Sequence, residues 1–177
     1  MKRIAKFEKV SLEQFKKDWV DTFPTNLQVY DKDLLIQQIY DSVKLPKRAT
    51  RGSAGYDFYS PLNFTLNPNE SIKIPTGIRV AIEENWVLQC YPRSGLGFKY
   101  RLQLDNGVGI IDSDYFYSDN EGHIFAKITN DSRSNKTLNI KHGDGFMQGI
   151  FIEYGITVDD NVTSIRNGGF GSSDRKQ

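Results

Sequence analysis

Cysteine is almost absent from the 177 residues: Cys90 is the only one. A lone thiol cannot close an intrachain disulfide, and its apolar surroundings point to a buried, reduced side chain. Net charge is nearly absent too, with 23 Lys+Arg against 22 Asp+Glu for a formal charge of +1. That removes the global field on which nucleic-acid and membrane-surface binders rely, while a local patch can still hold a small anion. No apolar run approaches the ~20 residues of a membrane span. The start, Met1-Lys2-Arg3-Ile4-Ala5-Lys6, leads into charged sequence rather than a signal-peptide core. There is no repeat of fixed period, and His123 and His142, the two histidines, belong to no cluster with metal-ligand spacing. What remains is ordinary globular composition, 25% charged and 38% hydrophobic, with nine Tyr and eleven Phe. The expectation is a cytoplasmic enzyme or binding domain, one core with a short appendage.

Two textures meet near Pro46. Before it, Ser11 stands three residues ahead of Gln14 in capping-box position, and Leu12, Phe15, Trp19 and Phe23 follow at helical spacing until Pro24. A second helical pattern begins after Asp31, with Leu34, Leu35, Ile39 and Val43 on roughly one face. These helices carry no recognisable chemistry; the pattern has them packing on the main domain or on a neighbouring subunit. After Pro46, short β-rich runs at 71–74, 77–82, 86–91, 107–111, 124–129, 136–140 and 146–154 alternate with turn signals such as Asn67-Pro68-Asn69 and His142-Gly143-Asp144-Gly145. Many short strands at such spacing indicate an all-β barrel or jelly-roll-like sandwich. The polar, glycine- and serine-rich stretch 166–177 reads as a tail.

Five segments carry chemistry. Ala54-Gly55-Tyr56-Asp57-Phe58 is weak alone. Pro92-Arg93-Ser94-Gly95-Leu96-Gly97 gathers a cation, a hydroxyl and glycine N–H groups at the end of a strand, which suits a phosphate cradle and equally a surface turn. The third segment runs from Asp105 to Tyr115 and is the most informative. Asn106 offers a donor and an acceptor for an amide-like base edge, and Gly107 and Gly109 allow close backbone approach to a flat ligand. Ile110-Ile111 then delivers Asp112, and a carboxylate beside a buried strand needs a reason to exist; the alternative is a hairpin turn around Asp112-Ser113-Asp114. Gly143 to Gly149 places Gln148 on a strand, and Arg166 to Ser173 embeds Phe170 among glycines and serines, a composition that suits a lid or a disordered tail.

In order and spacing, these segments resemble the five motifs of the trimeric dUTP diphosphatase (dUTPase) family, from about Leu45 to Ser173. The specific strings are Pro92 to Leu96, Gly109 to Tyr115 and Gly168 to Ser172. The resemblance implies a jelly-roll β-barrel (β-clip), here with a short N-terminal two-helix extension, assembled as a homotrimer with shared active sites. It divides the chain into an extension (1–45), a barrel (46–165) and an active-site arm (166–177). It further implies dUTP as substrate, hydrolysed to dUMP and pyrophosphate with Mg²⁺, and no nucleic-acid or membrane partner. Asp112 would be the general base, and Asn106, Gly109 and Ile111 would form the uracil pocket. Tyr115 would lie under the deoxyribose. Arg93, Ser94, Gly95 and Gln148 would hold phosphates, Phe170 would stack on uracil, and Arg166, Gly171, Ser172 and Ser173 would reach the phosphates from the arm. Asp57 would meet the metal through water.

The chain departs from that pattern in four places. Residues 116–121 form an insertion, and Gly145 stands where an arginine is usual. Arg166 lies one residue closer to Phe170 than in the commonest pattern, and Asp174 replaces a glycine. Two other readings fit these residues less well. One is a dCTP deaminase or bifunctional deaminase/dUTPase. The other is a dUTPase with an added protein-binding regulatory role hosted by the extension or the insertion.

Overall fold

Ser11 caps the first helix as its spacing with Gln14 predicts. In the computed structural model, which describes residues 2–24, 32–164 and 166, Ser11 Oγ accepts the Gln14 N–H and α1 runs Leu12–Thr22. Phe15 and Trp19, four residues apart and so on one face, are buried against the barrel. Helix α2 (Lys32–Ser42) is rotated relative to expectation. Its buried residue is Ile36, continued by the half-buried Ile39 and Tyr40 and by Val43, whereas Leu34 and Leu35 face solvent. The true stripe steps by three and four from Ile36; Leu34 and Leu35 lie off it.

The N-terminal extension also contains a strand that the sequence did not announce. β1 (Ala5–Lys9) pairs antiparallel with β6 (Ile78–Ile82), Phe7 opposite Val80. Its pattern, Ala-Lys-Phe-Glu-Lys, has a single large apolar residue, too little to declare a strand. Backbone pairing thus adds to side-chain packing in joining the extension to the barrel.

The barrel is antiparallel throughout the described residues. A five-stranded sheet runs β2 (Lys47–Arg48), β3 (Tyr56–Tyr59), β12 (Gly145–Glu153), β7 (Trp86–Pro92), β9 (Gly109–Ile111). A three-stranded sheet runs β5 (Ser71–Pro75), β10 (Phe125–Asn130), β8 (Leu102–Leu104), and β11 (Leu138–Ile140) pairs with β4 (Phe64–Leu66). Side chains alternate between core and solvent along these strands, and Phe58, Ile74, Leu88, Ile128, Leu138 and Phe146 meet inside as one core. This is the all-β jelly-roll arrangement expected from the run of short strands, with the helical extension as a minor addition. The seven expected runs all contain strands. β2, β3, β4 and β8 were not foreseen, being two to four residues long. The glycine-containing segment after Pro92 is no simple surface turn: it opens a short helix, α3 (Ser94–Tyr100). Among the described residues no helix is long and apolar enough to cross a membrane.

Candidate active site

The third segment folds as a reversal between two sheets. β8 ends at Leu104, Gly107 takes φ +75°, a conformation that favours glycine, and β9 leaves along β7 with Gly109 opposite Cys90 and Ile111 opposite Leu88. Asn106, Gly109 and Ile111 line one cavity of about 430 Å³, floored by Cys90, Leu104 and Met147. A Cβ on Gly109 would stand 3.1 Å from the Cys90 Cβ, so glycine keeps β9 close to β7 here. Burial pushes the Cys90 thiol up to about 12, which leaves it a neutral wall.

Asp112 is the first residue past β9 and, in extended conformation, precedes a short 3-10 helix, Ser113–Tyr117. The alternative reading, a hairpin turn around Asp112-Ser113-Asp114, does not hold, because the chain makes a helical turn there. Ile111 is buried while Ile110 is half exposed, so β9 has one covered face and Asp112 emerges at its rim. The Asp112 side chain is 46% exposed, and its Oδ2 accepts from Arg166 Nη2 at 2.6 Å. Arg166 Nε also donates to Asp114 Oδ1 at 2.9 Å, and the guanidinium stands 5.8 Å from the Tyr115 ring centre. Tyr115 is buried; its hydroxyl donates to the His123 carbonyl at 2.8 Å and accepts from Asn120 Nδ2 at 2.9 Å. Burial raises the Tyr115 phenol above its ordinary range, keeping it a proton donor.

A second group gathers at the other end of β7. Arg93 Nε lies 3.2 Å from Asp57 Oδ1 on β3, and Arg93 Nη1 donates to the Gly145 carbonyl at 3.3 Å. Gln148, opposite both Asp57 and Tyr91 in the sheet, donates to the Pro92 carbonyl. Two glycines make this packing possible. A Cβ on Gly55 would meet Gln148 Oε1 at 2.6 Å, and one on Gly145 would meet Arg93 Nη1 at 2.7 Å. The glycine that replaces a usual arginine thus leaves room for Arg93. Ser94 and Gly95 are exposed in the first turn of α3, where backbone N–H groups have no intrahelical acceptor.

Asp112 and Arg93 do not meet within one chain. Because Ile111 pairs with Leu88, Asp112 stands level with Val87, six residues along β7 from Arg93. At ~3.3 Å per residue that is roughly 20 Å. One group holds Asn106, Gly109, Ile111, Asp112, Tyr115 and Arg166; the other holds Asp57, Arg93, Ser94, Gly95 and Gln148. Phe170, Gly171, Ser172 and Ser173 lie outside the described residues. Among the described residues no three His, Cys, Asp or Glu side chains come together to hold a metal. Asp57 is therefore a single carboxylate, a donor set that suits a hydrated Mg²⁺ carried by a triphosphate rather than a protein-held ion. His123 has no ligand cluster around it in the sequence. It is fully buried, with its backbone carbonyl on Tyr115, and no local sequence signal marks that contact.

Several proteins similar to this chain share one activity in their names. The deoxyuridine 5'-triphosphate nucleotidohydrolase of Lactococcus lactis subsp. lactis is 37% identical over 134 residues, covering 74% of this chain and 88% of that protein. The Haemophilus influenzae protein of the same name is 36% identical over 154 residues, 82% of this chain and 97% of its own. The crystal structure of dUTPase from Streptococcus mutans superposes with a TM-score of 0.58 at 33% identity, over 68% of this chain and 91% of that one. A mutant dUTPase from phage phi11 of S. aureus, which coordinates a structural Mg(II) ion, has the same fold at 24% identity and a TM-score of 0.57. The dUTPase family model matches residues 41–174, which takes in both side-chain groups, and the chain belongs to the dUTPase family.

Proposed function

We propose that the protein hydrolyses dUTP to dUMP and pyrophosphate. The observation that carries this reading is the grouping of Asn106, Gly109 and Ile111 around one cavity, with the half-exposed Asp112 at the rim of the same strand. Asn106 and neighbouring backbone groups hydrogen-bond the uracil edge. The Tyr115 ring lies against the deoxyribose and leaves no room for a 2′-hydroxyl. Water attacks the α-phosphorus in line, Asp112 takes its proton, and the bond to the bridging oxygen breaks as pyrophosphate leaves. Arg166 engages Oδ2 of Asp112, so Oδ1 is the oxygen that receives the proton. Arg93, Ser94, Gly95 and Gln148 orient the phosphate chain, and Arg93 is itself oriented by Asp57. Asp57 would hold a triphosphate-bound Mg²⁺ through water, and the ion would supply neutralisation of the phosphate charge.

The roughly 20 Å between the two groups supports a site assembled from more than one subunit, a homotrimer with shared active sites. The arm, 166–177, closes over it: Phe170 stacks on uracil while Gly171, Ser172 and Ser173 contact phosphates. The chain is read as an extension (1–45), a barrel (46–165) and this arm, working in the cytoplasm without nucleic-acid or membrane partners.

The Asp112→Asn variant should bind dUTP as the wild type does and turn it over about 10²–10⁴-fold more slowly. Calorimetry with a non-hydrolysable analogue measures the first and pyrophosphate release the second. Wild-type turnover in that variant removes Asp112 from the mechanism. Ammonia released from dCTP by the wild-type protein favours deamination instead.

A further inference from the structure

The N-terminal extension, a feature without a role in the hydrolysis, touches both the inserted loop and His123 just beyond it. Ser11 donates both its N–H (2.7 Å) and its hydroxyl (2.6 Å) to the Glu121 carboxylate, joining the start of α1 to the loop. Two helical turns on, Asp18 Oδ2 lies 2.5 Å from His123 Nδ1 and also accepts from Gln14 Nε2 at 2.9 Å. The Gly77 N–H donates to His123 Nε2 at 2.7 Å. Since Nε2 accepts, the neutral ring carries its proton on Nδ1 and donates it to Asp18. Both ring nitrogens are thereby committed, one to the barrel and one to α1.

The loop and His123 just beyond it hold Tyr115. The His123 carbonyl accepts from the Tyr115 hydroxyl, and Asn120 Nδ2 donates to that same hydroxyl while its Oδ1 takes the Gly122 N–H at 3.2 Å. Arg79 on β6 stacks on Phe116 at 3.5 Å and stands 3.7 Å from Glu121. The chain of contacts therefore runs from α1 through Glu121 and His123 to the phenol of Tyr115.

We propose that Asp18 and Glu121 are positioning residues for sugar selection: α1 clamps the 116–123 segment, which fixes the Tyr115 ring that discriminates deoxyribose from ribose. The inference rests on the Tyr115 role given above. A ring held at its hydroxyl by two groups excludes a 2′-hydroxyl only as firmly as those two groups are themselves held. Asp18, and Ser11 through Glu121, supply that support from an element outside the matched family region, which begins at residue 41.

The test compares kcat/KM for dUTP and for UTP in the full-length protein, by pyrophosphate release, alongside thermal melting. Asp18→Ala should lower the preference for dUTP by about tenfold or more, since small displacements of positioning groups are costly. Asp18→Asn retains an oxygen for both His123 and Gln14 and should keep the preference within about threefold. Glu121→Ala, at a partly exposed site, repeats the measurement should Asp18→Ala fail to fold. A lowered melting temperature with wild-type preference in Asp18→Ala or, where that variant does not fold, in Glu121→Ala makes the contact merely structural and overturns the proposal. Tyr115→Ala separates the two readings. Loss of preference there but not in the clamp variants removes the clamp alone; retained preference in Tyr115→Ala removes the sugar role and the clamp with it.

Discussion

Gly122 has a harder geometric constraint than most residues of the site. Its φ is +70°, and a Cβ there would come within 2.7 Å of both the Phe116 Cα and the Tyr115 carbonyl oxygen, backbone atoms that cannot swing aside. Gly122→Ala combines left-handed strain with this clash and should destabilise the fold by about 1–3 kcal/mol, read from urea unfolding. Gly107, also at positive φ but with open space around it, should tolerate alanine better. Cys90 behaves differently for an electrostatic reason. Its thiolate is disfavoured by burial, and the side chain is covered under Gly109. Because the thiolate is the reactive form, the native protein at neutral pH should leave a thiol reagent untouched, and one equivalent should react on denaturation. Prompt reaction in the native state would mean that β9 opens readily from β7.

At the scale of elements, what could be read from the sequence was whatever depends on neighbours along the chain. The Ser11–Gln14 cap fixed the start of α1 because the cap is a local hydrogen bond, and the turn dipeptides fixed the order of strands. β1 was invisible because its support comes from β6, some seventy residues away, and α3 was hidden by glycines that mean both turn and cradle. The Asp18–His123 contact spans 105 residues and has no sequence pattern at all. It does carry a measurable consequence. Burial opposes the charge on Asp18, but the hydrogen bonds from His123 and Gln14 outweigh it and hold the carboxyl below its ordinary 3.8. A folded-state value below the unfolded one means stability that is present above 3.8 and is lost as pH falls through the folded value. Asp18→Asn should therefore cost stability at neutral pH, with the gap to wild type narrowing as pH falls below 3.8; urea unfolding across that acid range measures it. A gap constant with pH would show that the carboxylate charge contributes nothing to holding α1.

For the whole molecule, the distribution of chemistry along β7 matters most. The five segments were legible because each is contiguous; their division into two groups was not, since it follows from the pairing of Ile111 with Leu88. With Asp112 and Arg93 roughly 20 Å apart in one chain, a shared site makes a prediction that a self-contained site does not. Asp112→Asn spoils one group and Arg93→Ala the other, and each protein alone should be nearly inactive. Unfolded together in equal amounts and refolded into random trimers, each site draws Asp112 from one subunit and Arg93 from another. About one site in four then receives both intact groups, so the mixture should recover about a quarter of wild-type pyrophosphate release. Sites confined to single subunits would leave the mixture at the average of its inactive parents. The same experiment with two variants of one group, Asp112→Asn and Tyr115→Ala, should recover nothing, because both lesions then fall on the same subunit's contribution to a site. Recovery in the first mixture and not the second would establish that the wall of the nucleoside pocket and the phosphate cradle come from different chains.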